Sequence, residues 1–386
     1  LAKKGDIYKA KYTGLYCSGC EAYVLEKDLV ENKCPTHKTA PDYLEEENYF
    51  FKLSKYSTQI RDLIKSDKLR IVPEARKNEM LNIIGEGLAD VSFSRPKKNL
   101  PWGIEVPGDA EHVMYVWCDA LSNYITALDY EGFADGRGGA LFKKFWPANV
   151  HIIGKDILRF HAGIWIGMLL SAEIGVPKNI YVHGFITSQG QKMSKSLGNV
   201  VDPFETIEKY GVDAVRYYLS REIPTTDDGD FSKERFEALY NTELANNLGN
   251  LVNRVFVVAE KYFESRVPAS DKKFDKDSRT KECKDFISRT AAEWQKNIEE
   301  FNLKAAIEEV LALSDFGNRY VEEMKPWVLA KENPDLLKNV VCNMIDILKN
   351  IGIMLKPFMP QTAEKILAGL AGDTVKKPPV LFPRLQ

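Results

Sequence analysis

Two periodicities divide the chain. Up to about residue 230, apolar positions alternate or gather in short runs broken by Gly, Pro and Asp; beyond it they recur at helical spacing. Residues 4–16, KGDIYKAKYTGLY, alternate like a strand, and residues 45–56, EEENYFFKLSKY, turn aromatic and β-like. Residues 57–65 and 74–88 carry helical spacing, with Pro73 as a helix-start residue, and the Pro/Gly-punctuated stretch 90–109 predicts short strands and loops. Residues 114–128, MYVWCDALSNYITAL, pass from a strand into a helix with Trp117, Ala120, Leu121 and Tyr124 at one-face spacing. A strand over 150–153 ends in Gly154-Lys155-Asp156 and feeds an apolar helix over 157–176, on which Ile157 and His161 share a face. Strand, glycine turn and helix in that order are how a doubly wound sheet presents groups at its carboxyl edge, where ligands bind. A short buried strand follows at 180–183, and Asp202-Pro203 caps a helix over 202–223. From residue 231 strands disappear, and helices are predicted over 231–263, 273–300, 302–323, 334–355 and 360–370. The fold class is α/β followed by an all-α bundle.

With 386 residues the chain has room for two or three domains with full cores. A net charge of −2 excludes a globally basic nucleic-acid binder, so any nucleic-acid contact must come from local patches or stacking groups. No apolar run reaches membrane-spanning length; residues 157–176 are interrupted by Arg159, His161 and Glu173. Leu1-Ala2-Lys3-Lys4 is too short and polar for a secretory signal. Six unevenly spaced cysteines do not make a disulfide framework and point to a reducing cytosol. Cys17-Ser18-Gly19-Cys20 and Cys34-Pro35-Thr36-His37 form two knuckles that can set three thiolates and one imidazole around one ion. Soft sulfur ligands in a closed set favour structural zinc, one per chain. Cys118, Cys283 and Cys342 have no such partners and are expected to pack.

Lys192-Met193-Ser194-Lys195-Ser196 follows the 180–183 strand and a turn at 188–191. Two ammonium groups three residues apart on a loop suit a polyanion whose charge grows during reaction. A bare K-x-x-K pair is usually a solvated loop, but the five-residue string in this setting is the signature of class I aminoacyl-tRNA synthetases. The rest of the chain resembles their methionyl-tRNA synthetase family: the zinc knuckle, EENYFF, Ser94-Arg95 before a Trp102-Gly103-Ile104 strand, GVDAVRYYL, and the closing PPVLFPRL. The resemblance implies the second half of a Rossmann-like parallel sheet with a zinc-knuckle insertion, then an all-α anticodon-binding bundle. The corresponding parts are residues 1–113 (insertion), 114–186 (second half of the catalytic sheet), 187–245 (lysine loop and stem-contact fold) and 246–386 (anticodon-binding domain).

The same resemblance implies roles. Lys192, Lys195 and Arg95 serve catalysis, the lysines on departing pyrophosphate and Arg95 near the polar end of the amino acid. Trp117, Ala120, Leu121, Tyr124, Ile157 and His161 wall an L-methionine side-chain pocket. Gly154, Asp156, His183, Gly184, Ile186 and Met193, with the two lysines, hold ATP, which enters as substrate with Mg2+. An unbranched thioether suits aromatic walls rather than a hydrogen-bond clamp. Asn250 and Arg254, four apart on one helix, and Pro326-Trp327 at a helix boundary match the residues that read the methionine anticodon. Stacking rings with amide and guanidinium groups are how unpaired RNA bases are read. Each residue has a plainer alternative: Arg95 a surface charge, His161 a satisfied core histidine, Trp327 a core ring, Asn250 and Arg254 a solvated face.

A His-x-Gly-His-like motif, expected before the insertion in class I enzymes, does not occur, and FHAG at His161 sits on the wrong element. The expectation is that an N-terminal segment of the same protein, roughly a hundred residues long (half a doubly wound fold), precedes Leu1. The implied partners are methionine tRNA, L-methionine and ATP, with no membrane, a monomeric state and a cytoplasmic location. The alternatives are another class I synthetase of the Cys/Leu/Ile/Val type and a non-catalytic tRNA-binding fragment.

Overall fold

A computed structural model describes residues 1–385 except 21, 25, 131–137, 189, 194–197, 271, 275 and 276; at residues 12, 22, 23, 27 and 272 it describes the backbone alone. The chain forms two units, Leu1–Val182 and His183–Gln386. No helix of the described residues is long and apolar enough to cross a membrane.

The first unit is built on the predicted opening strand. Ile7–Cys17 pairs antiparallel with Asp42–Phe51, in register from Ile7 opposite Phe51 to Tyr16 opposite Asp42. Ala22–Val24 and Val91–Ser92 complete a four-stranded sheet. The alternation of the sequence drives Phe51 to full burial at the end where the strand meets the core. Aromatic β character stops at Phe51; Leu53–Tyr56 is a 3-10 turn leading into the helix Ser57–Lys65. The stretch 90–109 gives short strands, as its breakers predict: Ser94–Pro96 and Glu105–Val106 both pair with Asp109–Met114. Pro73 caps the helix Glu74–Gly85, where its missing N–H costs nothing.

A second sheet has Asn179–His183 at its centre, between His151–Gly154 and Arg70–Val72. Arg70–Val72 pairs parallel to Asn179–His183. Sequence pattern missed this three-residue strand because it is too short to show a period. Ile71, Ile153, Ile180 and Val182 are buried in it, packed with Ile60, Ile64, Leu69 and Trp165. The helix expected over 157–176 is composite: a 3-10 turn Lys155–Ile157, a wide π-helical stretch Phe160–Trp165, and an α-helix Ile166–Ser171.

In the second unit Ile186–Ser188 pairs parallel with Gly229–Phe231 and antiparallel with Gln191–Lys192. The helix expected over 202–223 is two helices, Pro203–Tyr210 and Val212–Arg221, because Gly211 takes φ 86° between them. Asp202 caps the first as predicted, accepting from the N–H groups of Phe204 and Glu205 at 2.7 and 3.3 Å. Beyond residue 231 the described elements are helical: Lys233–Leu239, the wide-turned Tyr240–Gly249, Asn250–Phe263, Ser278–Glu299, Leu303–Met324, Pro334–Leu355 and Pro360–Gly369. Among the described residues the β pairing left there is an isolated bridge between Arg266 and Thr374. Pro326–Glu332, too short for a clear period, is an additional helix. Leu251, Val255, Phe256, Leu313, Ile347, Leu348 and Ile351 make the bundle core. Cys118 and Cys283 are buried as expected; Cys342 is half-buried, with its thiol 3.1 Å from the Pro268 carbonyl.

Candidate functional site

The two knuckles meet. Cys17 closes its strand, and the ligand atoms of Cys17, Cys20, Cys34 and His37 all lie within 4.8 Å of one another. The His37 Nδ1 atom is 3.9, 3.2 and 3.9 Å from the sulfurs of Cys17, Cys20 and Cys34, and the Cys20 and Cys34 sulfurs are 3.4 Å apart. Four such atoms held at tetrahedral zinc distances would be about 3.3–3.8 Å apart, so the donor set fits one ion with all four positions taken. Gly19 is part of the cradle: a Cβ there would lie 2.6 Å from the His37 ring.

An aromatic wall stands on the Val116–Thr126 helix and the wide-turned stretch after it. Trp117 stacks on Phe160 with centroids 4.1 Å apart and meets His161 edge-on at 6.1 Å. His161 has a carbonyl partner four residues back, in the preceding 3-10 turn: its Nδ1 lies 3.0 Å from the Ile157 oxygen. That oxygen can only accept, so Nδ1 carries the proton and Nε2 accepts from the Tyr124 hydroxyl, 3.0 Å away. His151 is fixed the same way, its Nε2 accepting from the Trp165 indole N–H at 3.3 Å. Burial pushes the His161 imidazole below its ordinary range; burial, then the neighbouring His161, push His151 down to about 4. Both rings are neutral near pH 7, which keeps the wall apolar. Leu121 is fully buried beneath it, while Ala120 and Ile157 are half-buried. Thus the structure brings Trp117, Tyr124, Ile157 and His161 together, and His161 is both a satisfied buried histidine and part of the wall. Phe160 and His151 were missed; their signal was only an aromatic density that an ordinary core shares.

Arg95 is buried rather than a surface charge. Its Nη1 donates to Ser92 Oγ at 2.9 Å and to the Ser94 carbonyl at 3.0 Å, and its guanidinium sits 5.0 and 5.1 Å from the ring centres of Tyr16 and Tyr115. It lines a cavity of about 550 Å³ with Glu46, Asn99, Trp102 and Asp119. Asp119 belongs to the helix that carries Trp117, so one helix serves both the aromatic wall and the Arg95 cavity. Gly154 ends its strand, and exposed Asp156 follows in the next turn, at the carboxyl edge where the sequence placed them.

In the second unit, Lys192 is exposed at the end of a two-residue strand, with its ammonium 4.9 Å from the Phe185 ring centre. Met193 is half-buried; Ser194, Lys195 and Ser196 lie outside the described residues. The base of this loop is held by two aspartates that sequence reading missed. Asp230 accepts from the Gly190 N–H and the Thr187 hydroxyl at 2.9 and 2.8 Å, and Asp228 from the Phe185 N–H at 2.8 Å. Gly184 has a steric reason to be glycine, since a Cβ would run into the Asp227 carbonyl. His183 is exposed, its Nδ1 2.8 Å from the Gly184 oxygen, and Ile186 is 41% exposed.

Asn250 opens its helix, with one amide N–H on Asn318 Oδ1 at 3.2 Å, and Arg254 one turn on pairs with Glu322 at 3.0 Å. Both are thus tied to the Leu303–Met324 helix, Asn250 by a half-buried hydrogen bond and Arg254 by an ion pair at the surface. Pro326 is the buried first residue of its helix, and Trp327 beside it is 50% exposed, not a core ring.

Comparison with known proteins matches these features. The family profile described as class I tRNA synthetases (M) covers residues 7–256, and that of the anticodon binding domain of methionyl tRNA ligase covers residues 267–381. The methionine–tRNA ligase of Caldanaerobacter subterraneus is 41% identical over 410 residues, covering 100% of this chain and 62% of the relative. That of Clostridium perfringens is 42% identical over 406 residues with the same coverage, so the chain spans 62% of the length of these two ligases. Among solved structures, Mycobacterium tuberculosis methionyl-tRNA synthetase in complex with methionyl-adenylate superposes with a TM-score of 0.90 at 34% identity, over 99% of this chain and 78% of that one. A parallel-stranded α/β part with a cysteine cluster and a helical anticodon-binding part thus occur here as in that family. The chain belongs to the methionyl class I tRNA synthetases.

Proposed function

We propose that the protein ligates L-methionine to its tRNA through a methionyl-adenylate, consuming ATP with Mg2+ and releasing pyrophosphate in the cytoplasm. The observation that carries this reading is the neutral aromatic wall of Trp117, Tyr124 and His161. An unbranched, polarizable thioether gains from ring contacts and needs no charged partner. Family membership supports the same choice, since the relatives named above are methionine–tRNA ligases and one was solved with methionyl-adenylate.

In the first step the methionine carboxylate attacks the α-phosphorus of ATP in line, and pyrophosphate leaves. No covalent enzyme intermediate is needed, so the protein contributes positioning and charge stabilisation. Trp117, Ala120, Leu121, Tyr124, Ile157 and His161 position the side chain, and Arg95 meets the polar end. Gly154, Asp156, His183, Gly184, Ile186 and Met193 position the nucleotide, and Lys192 and Lys195 stabilise the growing charge on pyrophosphate. In the second step a tRNA 3′-terminal hydroxyl takes the acyl group and AMP leaves. Asn250, Arg254, Pro326 and Trp327 select that tRNA by its anticodon. Cys17, Cys20, Cys34 and His37 hold one structural zinc, which ties the strand end to the second knuckle and takes no part in the chemistry. Residues 1–113, 114–186, 187–245 and 246–386 divide this labour as insertion, catalytic sheet, lysine loop with stem-contact fold, and anticodon reader. The deciding experiment is amino-acid-dependent ATP–pyrophosphate exchange by the full-length gene product. Methionine should stimulate it; stimulation by leucine or cysteine instead would overturn the assignment.

A further inference from the structure

The second unit holds a cavity of about 400 Å³ whose lining, Asn250 apart, none of the roles above uses. One wall is the helical stretch bearing Asn246, Asn250 and Asn253; the other is the irregular 377–384 segment, including Lys377 and Arg384. Asparagines at i, i+4 and i+7 bring three amides to one opening, each with donor and acceptor on one plane. The described lining residues contain two cations and no carboxylate. The outer wall is held in place. Leu385 N–H donates to Asn241 Oδ1 at 2.9 Å, Arg384 Nε donates to Asn246 Oδ1 at 2.7 Å, and Phe382 is buried edge-on to Tyr240. Pro378, Pro379 and Pro383 stiffen the segment, so little ordering cost falls on a ligand. The volume lies in the range of small-ligand sites, roughly 300–1,000 Å³.

We propose that this cavity is a subsite for an unpaired nucleotide of the bound RNA, beside the base that Asn250 contacts. Asn253, with the Asn250 amide oxygen and the Asn246 amide N–H groups, takes the base edge, the proline faces flank the ring, and Lys377 takes the phosphate. The proposal rests on the anticodon-reading role of this unit. Amides and a mobile ammonium together suit a nucleotide: base edges demand paired donors and acceptors, and phosphate demands a cation. Asn250 links the two roles, because its bond to Asn318 fixes the amide plane that borders the cavity.

The test is titration of the chain with an RNA hairpin carrying the methionine anticodon loop, over a salt series, with melting curves as a check on folding. Asn253 and Lys377 are exposed, so their substitution should leave the fold intact. Asn253→Ala and Lys377→Glu should each weaken binding about tenfold. Lys377→Glu should also flatten the slope of log affinity against log salt by about 0.7, the share of one single-strand phosphate, and Lys377→Arg should restore both. If both variants bind like the parent while Trp327→Ala still loses affinity, the subsite is wrong and the anticodon reading stands. If the parent shows no preference for this hairpin and Trp327→Ala changes nothing, the anticodon reading fails and the subsite with it.

Discussion

Single residues carry most of the chemistry here, and their states follow from their partners. The Tyr124 hydroxyl donates into a ring nitrogen that the Ile157 carbonyl forces to be the acceptor. Tyr124→Phe therefore leaves a buried imidazole nitrogen unpaired, a loss of about 1–3 kcal/mol; denaturant unfolding of the protein should register it. Trp327 is half exposed, so Trp327→Ala should leave the melting temperature close to the parent value. Base stacking on an aromatic ring is worth about 1–3 kcal/mol, so binding of the methionine anticodon hairpin should fall roughly 5- to 150-fold. Equal affinity in the variant would remove the ring from RNA recognition. The knuckle residues could be named from their own spacing, whereas Arg95, Trp117, Tyr124 and Trp327 were reached only through the family resemblance that other strings carry. Asp228 and Asp230 could not, since an acidic run beside glycine reads as an ordinary turn. Their importance lies in backbone N–H groups some forty residues away.

At the scale of elements, the knuckle is where local sequence and structure agree most closely. A C-x-x-C turn and a C-x-x-H turn are each short enough to shape themselves, and the fold brings their four ligand atoms within 4.8 Å of one another, a set that fits one ion. Cys34→Ser should abolish stoichiometric zinc, measured by metal analysis of the purified protein, and lower its melting temperature; a folded protein free of metal would refute the site. The lysine loop is different. Its strand, Gln191–Lys192, has two residues and depends on Ile186–Ser188, which in turn pairs with Gly229–Phe231. Gly184→Ala forces a Cβ against the Asp227 carbonyl and should displace that loop base. The expected result is a loss of methionine-dependent ATP–pyrophosphate exchange in the full-length protein, together with a destabilisation of about 1–3 kcal/mol from overpacking. Helix boundaries were legible where caps mark them, as at Asp202. They were missed where tertiary packing sustains a helix too short to show a period, as at Pro326–Glu332.

For the molecule as a whole, the two buried histidines set a limit on acid stability. Both fold as neutral rings with depressed pKa values, so the unfolded chain binds more protons than the folded one below pH 6.5. Stability should be full above about pH 6.5 and fall as the solution is acidified toward pH 4. With a folded value of about 4, His151 alone accounts for about 2 kcal/mol by pH 5. Thermal melts from pH 7.5 to 5 check this, and His151→Gln, which removes the titration, should flatten the profile.

What the sequence determined alone was whatever neighbours along the chain suffice to specify: strand alternation, helical period, caps, metal knuckles and the lysine string. Those patterns also carried the family, and with it the candidate site. Only the tertiary structure decided that Trp117 stacks on Phe160, that Arg95 is buried between two tyrosine rings, and that Asn318 and Glu322 hold Asn250 and Arg254. It also decided that the 377–384 segment closes a cavity beside Asn250. Each of these joins groups from separate elements. Local propensity acts over a few residues, whereas such pairings are settled when packed faces exclude water and buried polar groups must find partners.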